Sequence, residues 1–232
     1  MFVHEGKTPA GIAPVAKTAT KDFLPQIAEA KGFDLVYDLN LENLSNDPLH
    51  YDIDNHAKGG KFDKIAYLLE LSNANGSQYV FVSMDAFTDN LAKIGIPTAA
   101  SGASFQQKVA NMTVVSNANG VVSGKGIATG NIEFWPNNYG QPNAANIPDA
   151  SEKTYDFGDA MDTGTADGYG SMQVHNYGAK QTIFAINHWS AGGETADIGI
   201  GNASAENTDW TFANNAGSYD HKCLRVFVHF VK

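Results

Sequence analysis

Along much of the chain, apolar and polar residues alternate with a period of two, the spacing that turns one side of an extended strand toward a core. Phe33, Leu35, Tyr37 and Leu39 fall on one side of such a strand, and Leu49, Tyr51 and Ile53 on one side of the next. Phe62 to Leu71 and Gln78 to Met84 are more continuously apolar. The SNANGS segment that joins them contains Asn75-Gly76, a pair that accepts the positive φ angles of a hairpin turn. The pentapeptide SNANG recurs at Ser116 to Gly120, between MTVV and VVSGKGI, and predicts a second hairpin with the same turn chemistry. The flanks differ, so no longer repeat is present.

Further strands are predicted over Ile132 to Trp135, Ser171 to His175, Thr182 to His188, Asp197 to Gly201, Trp210 to Ala213 and Cys223 to Val231. Only two segments read as helix. One runs from Lys21 to Ala30, capped by Thr20 and stopped at Gly32, with Phe23, Leu24 and Ile27 inward; a shorter one follows Thr88 to Lys93 and stops at Gly95-Ile96-Pro97. Many short strands without alternating long helices predict an all-β fold, a two-sheet antiparallel β-sandwich of jelly-roll type with one or two short helices. Residues 1–32 read as an arm and short helix, and residues 33–232 as a single sandwich domain. The insertion from Pro136 to Gly168, rich in Asn, Pro, Gly and Asp, reads as a long loop with one strand at Tyr155 to Phe157. Loops of that length are uncommon without a functional reason.

Charge narrows the list of partners. The formal net charge is −10, and Arg225 is the single arginine. Such a chain repels a phosphate backbone and offers almost no bidentate phosphate forks, so neither nucleic acid nor an acidic membrane surface is expected as a partner. No run of about 18 apolar residues is present, as a membrane-crossing helix would need. Cys223, the only cysteine, opens an apolar-rich strand and is expected to be a buried, inert thiol. Met1 to Gly32 lacks the apolar core of an export signal, so either the protein is cytosolic or an export leader has been removed; a secreted or periplasmic location is the expectation that fits a glycan partner.

The segment NIEFWPNNYG, Asn131 to Gly140, carries Trp135, Asn138 and Tyr139 where a strand enters the long loop. A sugar presents an apolar C–H face and a rim of hydroxyls, so its site needs an aromatic platform beside amides that both donate and accept. Ser171, Gln173 and His175 share one side of the next strand, opposite Met172 and Val174. If that strand forms a hairpin across Tyr177 to Gln181, then Asn187, His188 and Trp189 can join the same polar groove. The competing reading makes Trp135 a core-edge residue and either histidine a hydrogen-bonded structural group.

No G-x-S-x-G or H-E-x-x-H motif occurs, and the histidines have no recognised metal spacing. Glu133 is one acid that could face a groove, but no second stands at a spacing that places it opposite for glycoside hydrolysis. Asp52, Asp54, Asp156, Asp159 and the Asp162 to Asp167 segment offer hard oxygens for a structural Ca2+, though none forms an EF-hand loop, and a solvated acidic surface is the better reading of them. Gln173-Val174-His175 resembles the Gln-Ile/Val-His triplet of alginate-lyase-type jelly rolls, which implies a base at His175 and a uronate-neutralising amide at Gln173. The arginine-rich and Tyr-x-Lys-Ala-Gly strands of those enzymes are missing.

From Phe33 to Phe230, the succession VYDLNL, FDKIAYLLEL, YVFVSMDAFTDNLAKIGIPTAASG, GNIEFWPNNYG, YDFGD, DGYGSMQVHN, DIGIGN and DWTFANNAGSY resembles an accessory β-sandwich domain of bacterial multidomain sialate O-acetylesterases and related carbohydrate-active enzymes. The Gly-Asp-Ser segment of the esterase domain itself is missing, so the resemblance implies a non-catalytic companion module within a larger enzyme, binding the polysaccharide or glycan on which that enzyme acts. Trp135, Asn138, Tyr139, Gln173, His175, Asn187, His188 and Trp189 are the candidate ligand-binding residues. A jelly-roll polysaccharide lyase or glycoside hydrolase, and a structural or adhesion domain, are the alternatives.

Overall fold

A computed structural model describes residues 22–41, 51–96, 105–135, 170–188, 197–203 and 216–232. The predicted strands at Tyr155 to Phe157 and Trp210 to Ala213 lie outside these residues, as does Leu49. Within them the fold is an all-β sandwich of two antiparallel sheets.

The larger sheet has the order β2-β1-β12-β3-β4-β6-β7. Its strands are β1 (Asp34–Asn40), β2 (Tyr51–Asp54), β3 (Phe62–Asn73), β4 (Gly76–Asp85), β6 (Met112–Ser116), β7 (Gly124–Ile127) and β12 (His221–Phe230). The smaller sheet has the order β11-β10-β9-β8-β5, from β5 (Phe105–Val109), β8 (Gly130–Trp135), β9 (Gly170–Asn176), β10 (Gln181–His188) and β11 (Asp197–Ala203).

The main core lies between the sheets. Tyr67, Leu69, Val82, Leu224 and Val226 meet Ile132, Met172, Val174, Phe184 and Ile186, all fully buried. A second apolar layer covers the outer side of the larger sheet, where Ala66, Leu68, Phe81 and Phe227 pack against Phe23, Ile27 and Ala30. Strands β3, β4 and β12 are therefore apolar on both sides, which is why IAYLLEL reads as a continuous run rather than an alternation.

The predicted helix over Lys21 to Ala30 is instead two 3-10 turns, Leu24–Gln26 and Ala28–Ala30, with no side-chain cap. Pro25 cannot donate to a helical ladder, and the need to seat both Phe23 and Ile27 on the flat sheet wins over helical propensity. This strap packs on the outer side of the larger sheet. Phe23 N donates to Glu70 Oε1 at 2.8 Å, and Arg225 reaches Asp22 at 2.8 Å and also the Glu70 carboxylate.

The second predicted helix is a single 3-10 turn, Leu91–Lys93, capped by the Asn90 side chain rather than by Thr88. Three tyrosine hydroxyls hold this segment: Tyr37 donates to Leu91 O, Tyr67 to Ile94 O, and Tyr51 accepts from Ile96 N. In β1 the register slips between Leu35 and Tyr37, so the alternation inferred from Phe33 to Leu39 breaks: Leu35 packs in the outer layer, while Val36, Tyr37 and Leu39 enter the main core.

Cys223 is partly buried, and its thiol donates to Asp38 Oδ1 at 3.1 Å. Burial, and then the Asp38 carboxylate, push the thiol well above its ordinary pKa. Because the thiolate is the nucleophile, labelling of the native protein by a thiol reagent at neutral pH is expected to be at least about tenfold slower than of the denatured chain. Equal rates would mean that this part of β12 opens readily.

Candidate functional site

The hairpin of β9 and β10 forms as anticipated, across a turn at Tyr177–Ala179, and its register fixes which candidate residues come together. Asn131 lies opposite His175, and Thr182 flanks His175 on the other strand; Glu133 lies opposite Gln173. One row further on, Trp135 pairs with Ser171 and Asn187 pairs with Ser171 from the other side. His188 is in register with Gly170, one step out of this alternation. Asn138, Tyr139 and Trp189 lie outside the described residues.

The polar side of β9 is not an open groove. Asn131, Glu133, Gln173, His175 and Thr182 are all 0% exposed. His175 Nε2 lies 2.5 Å from Glu133 Oε1 and 3.1 Å from Gln173 Oε1, and His175 Nδ1 lies 3.0 Å from Thr182 Oγ1. Both ring nitrogens are thus held by protein groups. A histidine acting as general base must have a nitrogen within reach of the substrate proton, and a polysaccharide cannot enter a face with no solvent access. The expectation of a solvent-facing site at Gln173 and His175 is corrected accordingly: in this arrangement they knit three strands together. Burial of Glu133, Gln173, His175 and Thr182 is tolerable because their polar atoms meet one another, whereas neither Nδ2 nor Oδ1 of the buried Asn131 has a hydrogen-bond partner among the described residues.

An open cleft exists elsewhere, at one end of the larger sheet, with a volume of about 390 Å³. Its walls are the β3–β4 turn and the loop after β6, which are the two SNANG segments. Asn73, Asn75 and Gly76 come from the first and Asn117 and Asn119 from the second; Ser77, Gln78, Leu71 and Tyr219 complete the lining. The pentapeptides do not make the same turn. In the first, Ala74 and Asn75 form a two-residue connection between paired Asn73 and Gly76, and only Gly76 takes a positive φ, 138°. In the second, β6 pairs with β7 only from Val114↔Gly124 inward, leaving a longer loop.

The two segments nonetheless divide labour in the same way. The first asparagine of each is structural: Asn73 Oδ1 accepts from Asn75 N and its Nδ2 donates to Ser218 O, while Asn117 Oδ1 accepts from Tyr79 N and its Nδ2 donates to Ser77 O. The second asparagine of each, Asn75 and Asn119, is exposed, and its side-chain amide bonds to no other described residue. Gln78 Nε2 donates to the Tyr219 hydroxyl at 3.2 Å, and the Tyr219 ring packs against the main core. Two fixed amides thus carry two free ones beside a braced tyrosine. The recurrence of SNANG was the available signal; it predicted turns but not that the turns converge.

A second cleft, of about 310 Å³, lies on the outer side of the larger sheet among Asp22, Asp38, Asp52, Glu70, Cys223 and Arg225. Arg225 is taken up by Asp22 and Glu70, and Cys223 by Asp38. Among the described residues no group of three or more His, Cys, Asp or Glu is arranged to hold a metal ion. Asp54, one of the candidate calcium ligands, is engaged by His56.

No family model matches the chain, no curated protein is significantly similar to it, and no solved structure matches it.

Proposed function

We infer that this domain is a carbohydrate-binding module without catalytic activity of its own, the companion of a larger carbohydrate-active enzyme that acts on a polysaccharide or glycan outside the cell. The observation that supports this reading is the amide-lined cleft: free carboxamides at Asn75 and Asn119, each able to donate and accept, stand beside the Tyr219 ring. That pairing suits the hydroxyl rim and C–H face of a sugar. The lyase or hydrolase alternative loses ground because His175 and Glu133 are sealed and satisfied within the protein.

A glycan array, run beside assays for new reducing ends and unsaturated products, tests the reading. Retention without turnover is the expected result. Asn119→Ala should weaken binding by about 0.5 to 1.5 kcal/mol, the net worth of a neutral hydrogen bond, while its melting stays that of the parent. Asn75→Ala should act similarly. Product formation from any retained glycan would instead establish an enzyme.

A further inference from the structure

The carbohydrate reading leaves open which sugars the cleft accepts, and the inference that follows rests on that reading. We propose that the cleft selects uncharged saccharides and rejects uronates, sialates and sulfated sugars, with Asn75 and Asn119 acting as a paired clamp on neighbouring hydroxyls.

The reason is the inventory of charge. Among the described residues, none that lines the cleft is cationic or anionic. The Lys222 ammonium donates to the Tyr219 carbonyl at 2.7 Å, and Lys222 is buried and does not line the cleft. The single guanidinium, Arg225, is held by Asp22 and Glu70 in the separate acidic cleft. Exposed Asp220, whose main chain donates to Ser72 O, adds negative charge beside the first SNANG turn. A carboxylated or sulfated sugar would lose hydration on entering and find no partner for its charge, within a protein of net charge −10. A neutral sugar loses only hydroxyl–water bonds, and carboxamides replace these donor for donor and acceptor for acceptor.

The clamp follows from the division of labour between the two asparagines of each segment. Asn73 and Asn117 spend both ends of their amides on main-chain groups, which ties the first turn to Ser218 and the second loop to Ser77 and Tyr79 of β4. Asn75 and Asn119 then project from supported loops, so little ordering is needed when a ligand arrives.

The test uses matched probes on the whole protein: a neutral oligogalactan against oligogalacturonate, and N-acetyllactosamine against its sialylated form. The neutral member of at least one pair should bind, its affinity should change little between about 50 and 500 mM salt, and its charged counterpart should bind at least about tenfold more weakly. Asn75→Asp and Asn119→Asp, which keep the shape but replace the donor by a charge, should each lower neutral-sugar binding about fivefold to tenfold. Tighter binding of the charged member, with steep salt dependence, overturns the selectivity while leaving carbohydrate binding standing. Unchanged binding in both Asp variants overturns the clamp and moves the site elsewhere. Failure of a broad array to give any ligand overturns the carbohydrate reading itself, and this inference with it.

Discussion

His175→Ala is expected to destabilise the domain by about 3 to 5 kcal/mol, from the void left by a fully buried ring together with the hydrogen bonds its buried partners lose. The imidazole is the common partner of Glu133, Gln173 and Thr182. Its loss takes one partner from the buried Glu133 carboxylate, and the smaller sheet loses the group that joins β8, β9 and β10 on that side. In a domain of this size the melting temperature should fall by roughly 6 to 20 °C. Glu133→Gln removes the charge but keeps an acceptor for the ring, so its loss should be clearly smaller. Thermal melts of both variants decide the matter. A His175→Ala protein that melts within about 2 °C of the parent would mean that water has access to this face, reopening it as a ligand site.

Phe184→Ala carries a comparable loss. Phe184 is fully buried on β10 of the smaller sheet, paired with Val174 on β9 and Ile200 on β11, and its ring centroid lies 6.4 Å from that of Tyr67 across the sandwich. A register slip between Thr182 and Phe184 sends both Ile183 and Phe184 into the core, so the neighbourhood is crowded by bulged backbone that is ill placed to collapse into a void. Truncation at such a site costs about 3 to 5 kcal/mol. Urea unfolding should show a lower midpoint with an unchanged slope, and Val122→Ala, at a position 49% exposed, should stay within about 0.5 kcal/mol. A small effect at Phe184 would show that the two sheets are not in tight contact there.

The period-two pattern and the turn signals of the chain determined its class, because alternation reports directly on a strand with one buried side, and a run such as IAYLLEL on a strand buried on both. The β3–β4 and β9–β10 hairpins were legible for the same reason: each joins neighbouring residues through a short turn whose chemistry is local. What alternation does not carry is what covers the second side of a strand. Ser171, Gln173 and His175 alternate with Met172 and Val174 just as a wet face would, yet Gln173 and His175 are sealed. Helical propensity likewise misjudged residues 21–30, where docking of Phe23 and Ile27 on the outer layer decides the backbone. The cleft is the extreme case. Its SNANG segments are about forty residues apart, as the Asn117 to Ser77 and Tyr79 contacts show, and only the pairing of β4 with β6 brings them to one end of the sheet. Long-range pairing follows from the summed burial of the whole core, so two identical pentapeptides, read locally, announce turns and nothing of the site they enclose.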